Sequence, residues 1–285
     1  MTFRVYILAL SALLTMPITS FSQENGLRCG YFFYRKNAKE MDWVKYLNMR
    51  LDYIDGKSVF YDEYSYERDS LRLLAFDERG MTKDPAEYYK IISLPNPKLD
   101  EVTFMDYNNS NYVQCYKRIS ITMRSEGKLE MPSWTLTDES DTIDSCKCKK
   151  AIADYLGRTW IVWYTEEIPI PAGPWRLWGT PGLIVDAKDS EDLFHFKLVW
   201  TDSLENHNRM DFLDLCYPRF NTRRNEEFRH FFLSPFEAER MNMRLRTEDG
   251  YYEDMAGIRV IRRTPGREKK MKYIPLIPSD YWKNK

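Results

Sequence analysis

Arg158-Thr159-Trp160-Ile161-Val162-Trp163-Tyr164-Thr165 is a run of β-branched and aromatic side chains with no helix-period stripe, and it reads as a β-strand. Alternation sends Arg158, Trp160, Val162 and Tyr164 to one face and Thr159, Ile161, Trp163 and Thr165 to the other. Both sides carry large apolar groups, so both are expected to be at least partly covered. Leu183 to Ala187 and Phe194 to Trp200 repeat the pattern around the charged stretch Lys188-Asp189-Ser190-Glu191-Asp192, which predicts a hairpin. Upstream, Cys148 to Leu156 fits either a short helix or a strand closed by a turn at Gly157, and the hairpin is preferred.

Further from that strand the extended pattern persists. Gly30-Tyr31-Phe32-Phe33-Tyr34 is dense in strand formers and ends at the charged run Arg35 to Lys39. Met49, Leu51 and Tyr53 alternate with Arg50, Asp52 and Ile54; Asp55-Gly56 supplies a tight turn, and Ser58-Val59-Phe60-Tyr61 resumes the strand. Val102, Phe104 and Tyr107 pair in a second hairpin with Tyr112 and Cys115 across Asn108-Asn109-Ser110. Two helices are expected beyond Pro218. Thr222 caps one from Arg223 to Phe232, and Ser234-Pro235 with Glu237 begins another toward Leu245 through a capping box. Ile258 and Val260 return to strand character, and the basic, proline-broken tail from Lys269 is expected on the surface. With no internal repeat or glycine-rich linker, residues 23–285 read as one domain. The predicted class is mainly β: a curved antiparallel sheet, bowl or partial barrel, with a few helices on one side.

The chain has 285 residues, 42 Lys and Arg against 43 Asp and Glu, and a formal charge of −1, which argues against a polybasic nucleic-acid binder. Residues 1–22 have one positive charge, an apolar run from Val5 to Met16 and small residues at Ser20 and Ser22, the layout of a secretory signal cleaved after Ser22. The expected mature chain of 263 residues loses Arg4 and carries a charge of −2. No later stretch reaches the roughly 18 consecutive apolar residues of a membrane span. Arg28 before Cys29 speaks against a lipid anchor. Export makes Cys29, Cys115, Cys146, Cys148 and Cys216 disulfide candidates of unreadable connectivity, with at least one left over. The single residue between Cys146 and Cys148 falls short of zinc-ligand spacing, and His195, His207 and His230 are far in sequence from any cysteine; no metal or cofactor is expected.

Residues 166–187 read Glu-Glu-Ile-Pro-Ile-Pro-Ala-Gly-Pro-Trp-Arg-Leu-Trp-Gly-Thr-Pro-Gly-Leu-Ile-Val-Asp-Ala. Pro174 and Pro181 restrict φ while Gly173, Gly179 and Gly182 open conformations closed to other residues, so the segment reads as a rigid two-turn corner feeding a buried strand. It resembles the signature of the GLPGLI family of exported Bacteroidetes proteins, with Gly179-Thr180-Pro181-Gly182-Leu183-Ile184 as the eponymous hexapeptide. Trp134, Cys148-Lys149-Lys150-Ala151, Gly157-Arg158, Trp163-Tyr164-Thr165, Ile168-Pro169 and Gly173-Pro174 fall in matching order, and the likeness runs from about Met49 to about Trp200. Thr180 replaces the usual leucine. The resemblance implies an exported protein of undefined activity, with a bowl-like antiparallel fold similar to the N-terminal domain of some bacterial peptide N-glycosidases and no assigned catalytic residues.

The densest aromatic and cationic group, Arg158, Trp160, Tyr164, Trp175, Arg176 and Trp178, is the candidate binding set for a sugar ring, peptide or envelope protein, because ring faces and guanidinium groups supply contact area at small entropic cost. Core packing is the competing account, favoured for Trp160 and Trp163. Glu166, Glu167 and Asp186 are the nearest carboxylates and would be the pair in a glycosidase-like site; solvated strand ends explain them as well. No nucleophile elbow, phosphate loop, dinucleotide fingerprint or metal-helix motif occurs. The leading expectation is a non-enzymatic exported binding or accessory protein of the cell envelope. An enzyme acting on glycan or peptide and a structural envelope component are the alternatives.

Overall fold

The computed structural model describes residues 26–77, 81–97, 99, 101–118, 121–204, 229–248 and 273–284. The expected leader, Cys216, His207 and the Ile258 to Val260 strand lie outside these residues. Twelve strands form one open, curved sheet: β1 (Gly26–Arg35), β2 (Val44–Ile54), β3 (Lys57–Asp62), β4 (Glu101–Asp106), β5 (Asn111–Arg118), β6 (Ile121–Lys128), β7 (Thr135–Ile143), β8 (Cys146–Tyr155), β9 (Arg158–Thr165), β10 (Leu183–Asp189), β11 (Phe194–Leu204) and β12 (Arg229–Leu233). The order β12-β6-β5-β4-β3-β2-β1-β11-β10-β9-β8-β7 is two meanders joined where β1 pairs with β11, antiparallel throughout except for the parallel β12–β6 edge pair. The protein is thus mainly β, with α1 (Glu63–Ala75), α2 (Pro85–Ser93) and α3 (Pro235–Thr247) beside the sheet.

Local sequence explains most of these elements. Asp55 and Gly56, both with positive φ, turn β2 into β3. Leu156 and Gly157 take left-handed conformations in the turn between β8 and β9, so the Cys148 to Leu156 stretch is the preferred strand. Ser234 and Glu237 close the capping box that starts α3. Strand parity decides which face each side chain meets. Val59, Tyr61, Val102, Val113 and Cys115 form a cluster with Tyr66 of α1 on one face, while Tyr116 and Met123 on the other face pack with Ala238 and Met241 of α3.

Three local readings are corrected. The helix expected to run to Phe232 does not: Arg229–Leu233 is a strand, because pairing parallel to β6 gives its backbone groups partners and carries Phe231 and Leu233 to the apolar patch under α3. Residues 223–228 of that prediction lie outside the described ones. Helices α1 and α2 were not foreseen, although Asp62 and Asp84 cap them and Pro85 starts the second. From Tyr273 onward the tail is not a surface strap. Leu276 and Ile277 are buried in the main core, and Arg35 and Arg158 donate to the carbonyls of Ile274, Pro275 and Leu276, so the segment's main-chain acceptors are satisfied inside.

That core fills the face shared by β1, β2, β8, β9, β10 and β11. Phe33 stacks on Phe196 with ring centres 4.4 Å apart, and Trp160 is fully buried beside them. The corner after β9 folds back over this face and lids it: Ala172, Trp175 and Leu177 enter the core, with Trp175 5.9 Å from Trp160. Main-chain bonds hold the lid to the start of β10, from Leu183 N to Ile168 O and from Ile184 N to Ala172 O, each 3.0 Å. Gly182 makes the closest approach, since a Cβ there would stand 1.9 Å from Thr165 O. Thr180, where leucine is usual in the resembled family, is buried and donates its hydroxyl to Gly182 O at 2.7 Å.

Gly182→Ala is therefore expected to cost about 3 kcal/mol of stability through steric overlap with rigid backbone. Gly179→Ala, at φ +87 with only the Met131 and Trp134 side chains nearby, should cost about 1 to 2 kcal/mol. Denaturant titration of both variants measures the difference, and equal losses would contradict the packing described.

Candidate functional site

The side chains singled out from the sequence do not form an open binding face. Trp160, Tyr164 and Trp175 are at most 4% exposed, because strand parity and the folded-back lid place them in the core. Arg158 is likewise interior: Nη1 lies 3.1 Å from Asp189 and 3.0 Å from Glu191, and Nε and Nη2 hold the tail carbonyls at 2.8 and 2.9 Å. Its guanidinium also sits over the Phe194 ring, so it is a clamp between strand and tail. The binding candidates Arg158, Trp160, Tyr164 and Trp175 are thus placed in the interior, where they pack against the core and the tail. Trp178 is half-buried, tilted on Tyr107 and donating to Glu130 O. Arg176 alone among the six points to a separate polar environment.

Glu166, Glu167 and Asp186 do not converge. Glu166 pairs with Lys149 at 2.8 Å, Glu167 accepts from Lys147 N, and both line a groove of about 800 Å³ along β8. Asp186 instead meets His195 at 2.7 Å on the open face of the sheet. Cys29, Cys146 and Cys148 are free thiols, and burial drives the Cys29 thiol far above its ordinary range and the Cys148 thiol up to about 11, so neither is a ready nucleophile. Among the described residues no group of three or more His, Cys, Asp or Glu could hold a metal ion.

The polar environment that Arg176 joins was not foreseen. On the lidded side of β4 and β5, Glu101 stands opposite Tyr116, Thr103 opposite Gln114 and Met105 opposite Tyr112. Helix α3 packs beside these strands on β6 and β12, and the spacing of Glu239, Asn242 and Arg246 puts all three on one side of it. The tail adds Tyr273. Glu101, 6% exposed, accepts from Tyr273 at 3.3 Å and Asn242 at 3.5 Å and lies 3.6 Å from Arg246. Tyr116 donates to Glu239, Arg246 and Arg35 flank the Tyr273 ring at 4.5 Å each, and Arg176 lies 3.7 Å over Tyr112.

Two features mark this cluster. First, enclosure and repulsion from Glu101 push the Glu239 carboxyl from 4.5 up to about 7, although Tyr116, Arg176 and Arg246 oppose the shift. Second, donors remain without acceptors. Gln114 is 3% exposed, with its Oε1 held by Thr103 at 2.8 Å and its Nε2 unpartnered; Nε of Arg176, 5% exposed, and Nε of Arg35, 1% exposed, are unpartnered too. A buried donor without an acceptor costs stability, so such groups mark places where an acceptor oxygen would be welcome.

Glu101 and Glu239 stand 138 positions apart in the chain, so no spacing motif could have joined them. A carboxylate at an inward position of β4 and another beside Ala238 and Met241 of a capped helix were the available signals.

Fold and cluster together define an open-sheet β protein with an internal polar cluster. No family model matches the chain, and neither does any curated protein. Two solved structures of PNGF-II, in P21 and C2 space groups, are similar at TM-scores of 0.48 and 0.47 with 13% identity. Each match covers 78% of this chain, and this chain spans about a third of theirs, 34%. Among the described residues no helix is long and apolar enough to cross a membrane.

Arg158→Met should cost about 3 to 5 kcal/mol, because Asp189 is left buried without its cation and the tail loses its anchors; thermal unfolding checks it. The raised Glu239 carboxyl means the native state holds a proton that the unfolded chain releases between pH 4.5 and about 7. Stability should therefore fall as pH rises through that window. In Glu239→Gln the component of the fall due to this carboxyl should vanish, so its unfolding midpoint measured from pH 4.5 to 8 should exceed that of the unaltered chain most at the alkaline end.

Proposed function

We propose that the protein is an exported binding or accessory protein of the cell envelope, of the GLPGLI kind, whose ligand is recognised at the polar cluster between β4, β5, α3 and the tail. The observation that carries this reading is the pair of nine-tenths-buried donors, Gln114 Nε2 and Arg176 Nε, left without acceptors beside two carboxylates. Interior polar groups are as a rule paired, so incomplete donors gathered beside two carboxylates fit a site completed by a guest. The lid residues Gly173, Pro174, Gly179, Pro181 and Gly182 serve this function indirectly, by holding Arg176 at the wall of the cluster. The leader-like residues 1–22 support export, and the ligand is a small polar molecule, a glycan fragment or a peptide end.

A second reading, an enzyme acting on glycan or peptide, is favoured by one observation. A carboxyl pushed up to about 7 next to a second carboxylate is suited to general acid catalysis. Incubating the purified protein with defined oligosaccharide and peptide mixtures, followed by mass spectrometry of bound and free fractions, separates the two. Capture of unchanged compound, lost in Gln114→Leu, is the expected result. Cleaved product that stops forming in Glu239→Gln would establish the enzyme instead, and no capture by the folded protein would overturn both.

A further inference from the structure

We propose that the group recognised at this cluster is a carboxylate, carried by a small organic acid or acidic sugar and taken up together with a proton. The inference rests on the binding reading above and names its ligand class. Three unpartnered groups of the cluster are N–H donors, Gln114 Nε2, Arg176 Nε and Arg35 Nε, and the unpartnered Tyr155 hydroxyl close to Arg176 can donate as well. A guest that supplies acceptor oxygens and no donors completes them, and guanidinium groups favour an anion. The charge balance agrees. Arg35 on β1, Arg176 on the lid and Arg246 on α3 are set against Glu101 on β4 and Glu239 on α3, while Tyr112 and Tyr116 of β5 and Tyr273 of the tail are neutral at ordinary pH.

With Glu239 protonated the three guanidinium groups outweigh one carboxylate by two charges; with it ionised the excess falls to one. An arriving anion favours the first state, so binding draws a proton onto Glu239, and affinity must fall as pH rises past that group's titration. No bond is made or broken. The proton comes from solvent and returns to it on release.

The test is calorimetric titration of the full chain with glucuronate, glucose, glucosamine and inorganic phosphate. It is run at pH 6 and pH 8 and, at each pH, in two buffers of different ionisation enthalpy. Glucuronate should bind at least about tenfold more tightly than glucose or glucosamine, lose about tenfold in affinity between pH 6 and pH 8, and take up protons from the buffer. Glu239→Gln should bind equally at both pH values with no proton uptake. Gln114→Leu and Arg176→Gln should each weaken binding about tenfold or more while the protein still unfolds in one cooperative transition. Should Arg176→Gln fail to fold, Gln114→Leu still decides.

Equal or tighter binding of glucose or glucosamine, sensitive to Gln114→Leu, would overturn the carboxylate and leave the cluster as the binding site. Preference for phosphate would do the same. Glucuronate binding with unchanged affinity from pH 6 to pH 8 would overturn the proton linkage. Failure of all four probes would overturn the carboxylate inference, whereas the mixture capture above decides the binding reading itself.

Discussion

The contact on which the architecture turns is the approach of the lid to the end of β9, where Gly182 passes Thr165 too closely for any side chain. A sheet face carrying Phe33, Trp160 and Phe196 has to be covered, and no α-helix among the described residues covers this half. The chain covers it with sixteen residues of its own, 166 to 181, in a conformation that prolines narrow and glycines permit. Trp175 takes a positive φ to turn its ring inward. Main-chain bonds from Leu183 and Ile184 then commit the lid to the strand it feeds.

The tail completes the same enclosure by a different device. Its apolar residues Leu276 and Ile277 supply burial, but an extended segment also brings carbonyls into the interior. Arg35 and Arg158 meet those carbonyls, and Asp189 and Glu191 in turn balance Arg158. Charges that attract notice in the sequence as binding groups are here consumed by the backbone. The same face changes character over β4 and β5, where Glu101, Thr103 and Gln114 replace the aromatic core. There the polar groups exceed their internal partners, and that imbalance is the physical basis for the proposed site.

What could be read in advance follows the range of the interaction. Hairpins were legible because turn chemistry and alternation are local: Asp55-Gly56 and Asn108-Asn109-Ser110 lie where the turns are. The capping box at Ser234 was legible for the same reason. Residues 229–233 were misread because partnership with β6, over a hundred positions away, outweighs any local preference. Helix α1 escaped notice because its charged surface, Glu67 to Arg72, hides the few positions that face the sheet. Among candidate residues, Arg176 was marked from sequence, while Glu101, Gln114 and Glu239 were not, since nothing local distinguishes an inward polar residue with a distant partner from a solvated one.

The amino-acid sequence by itself determined that this is a β-rich chain of hairpins around a stiff proline-and-glycine corner, because those properties reside in alternation, turn residues and restricted φ. Only the tertiary structure decided what the aromatic and charged residues do. Whether a tryptophan is a platform or a core ring, and whether an arginine awaits a ligand or holds a carbonyl, depends on which distant segments fold over it. Burial and pairing belong to the assembled molecule, so the polar cluster proposed as the site lies where side chains of lid, helix and tail meet those of β4 and β5.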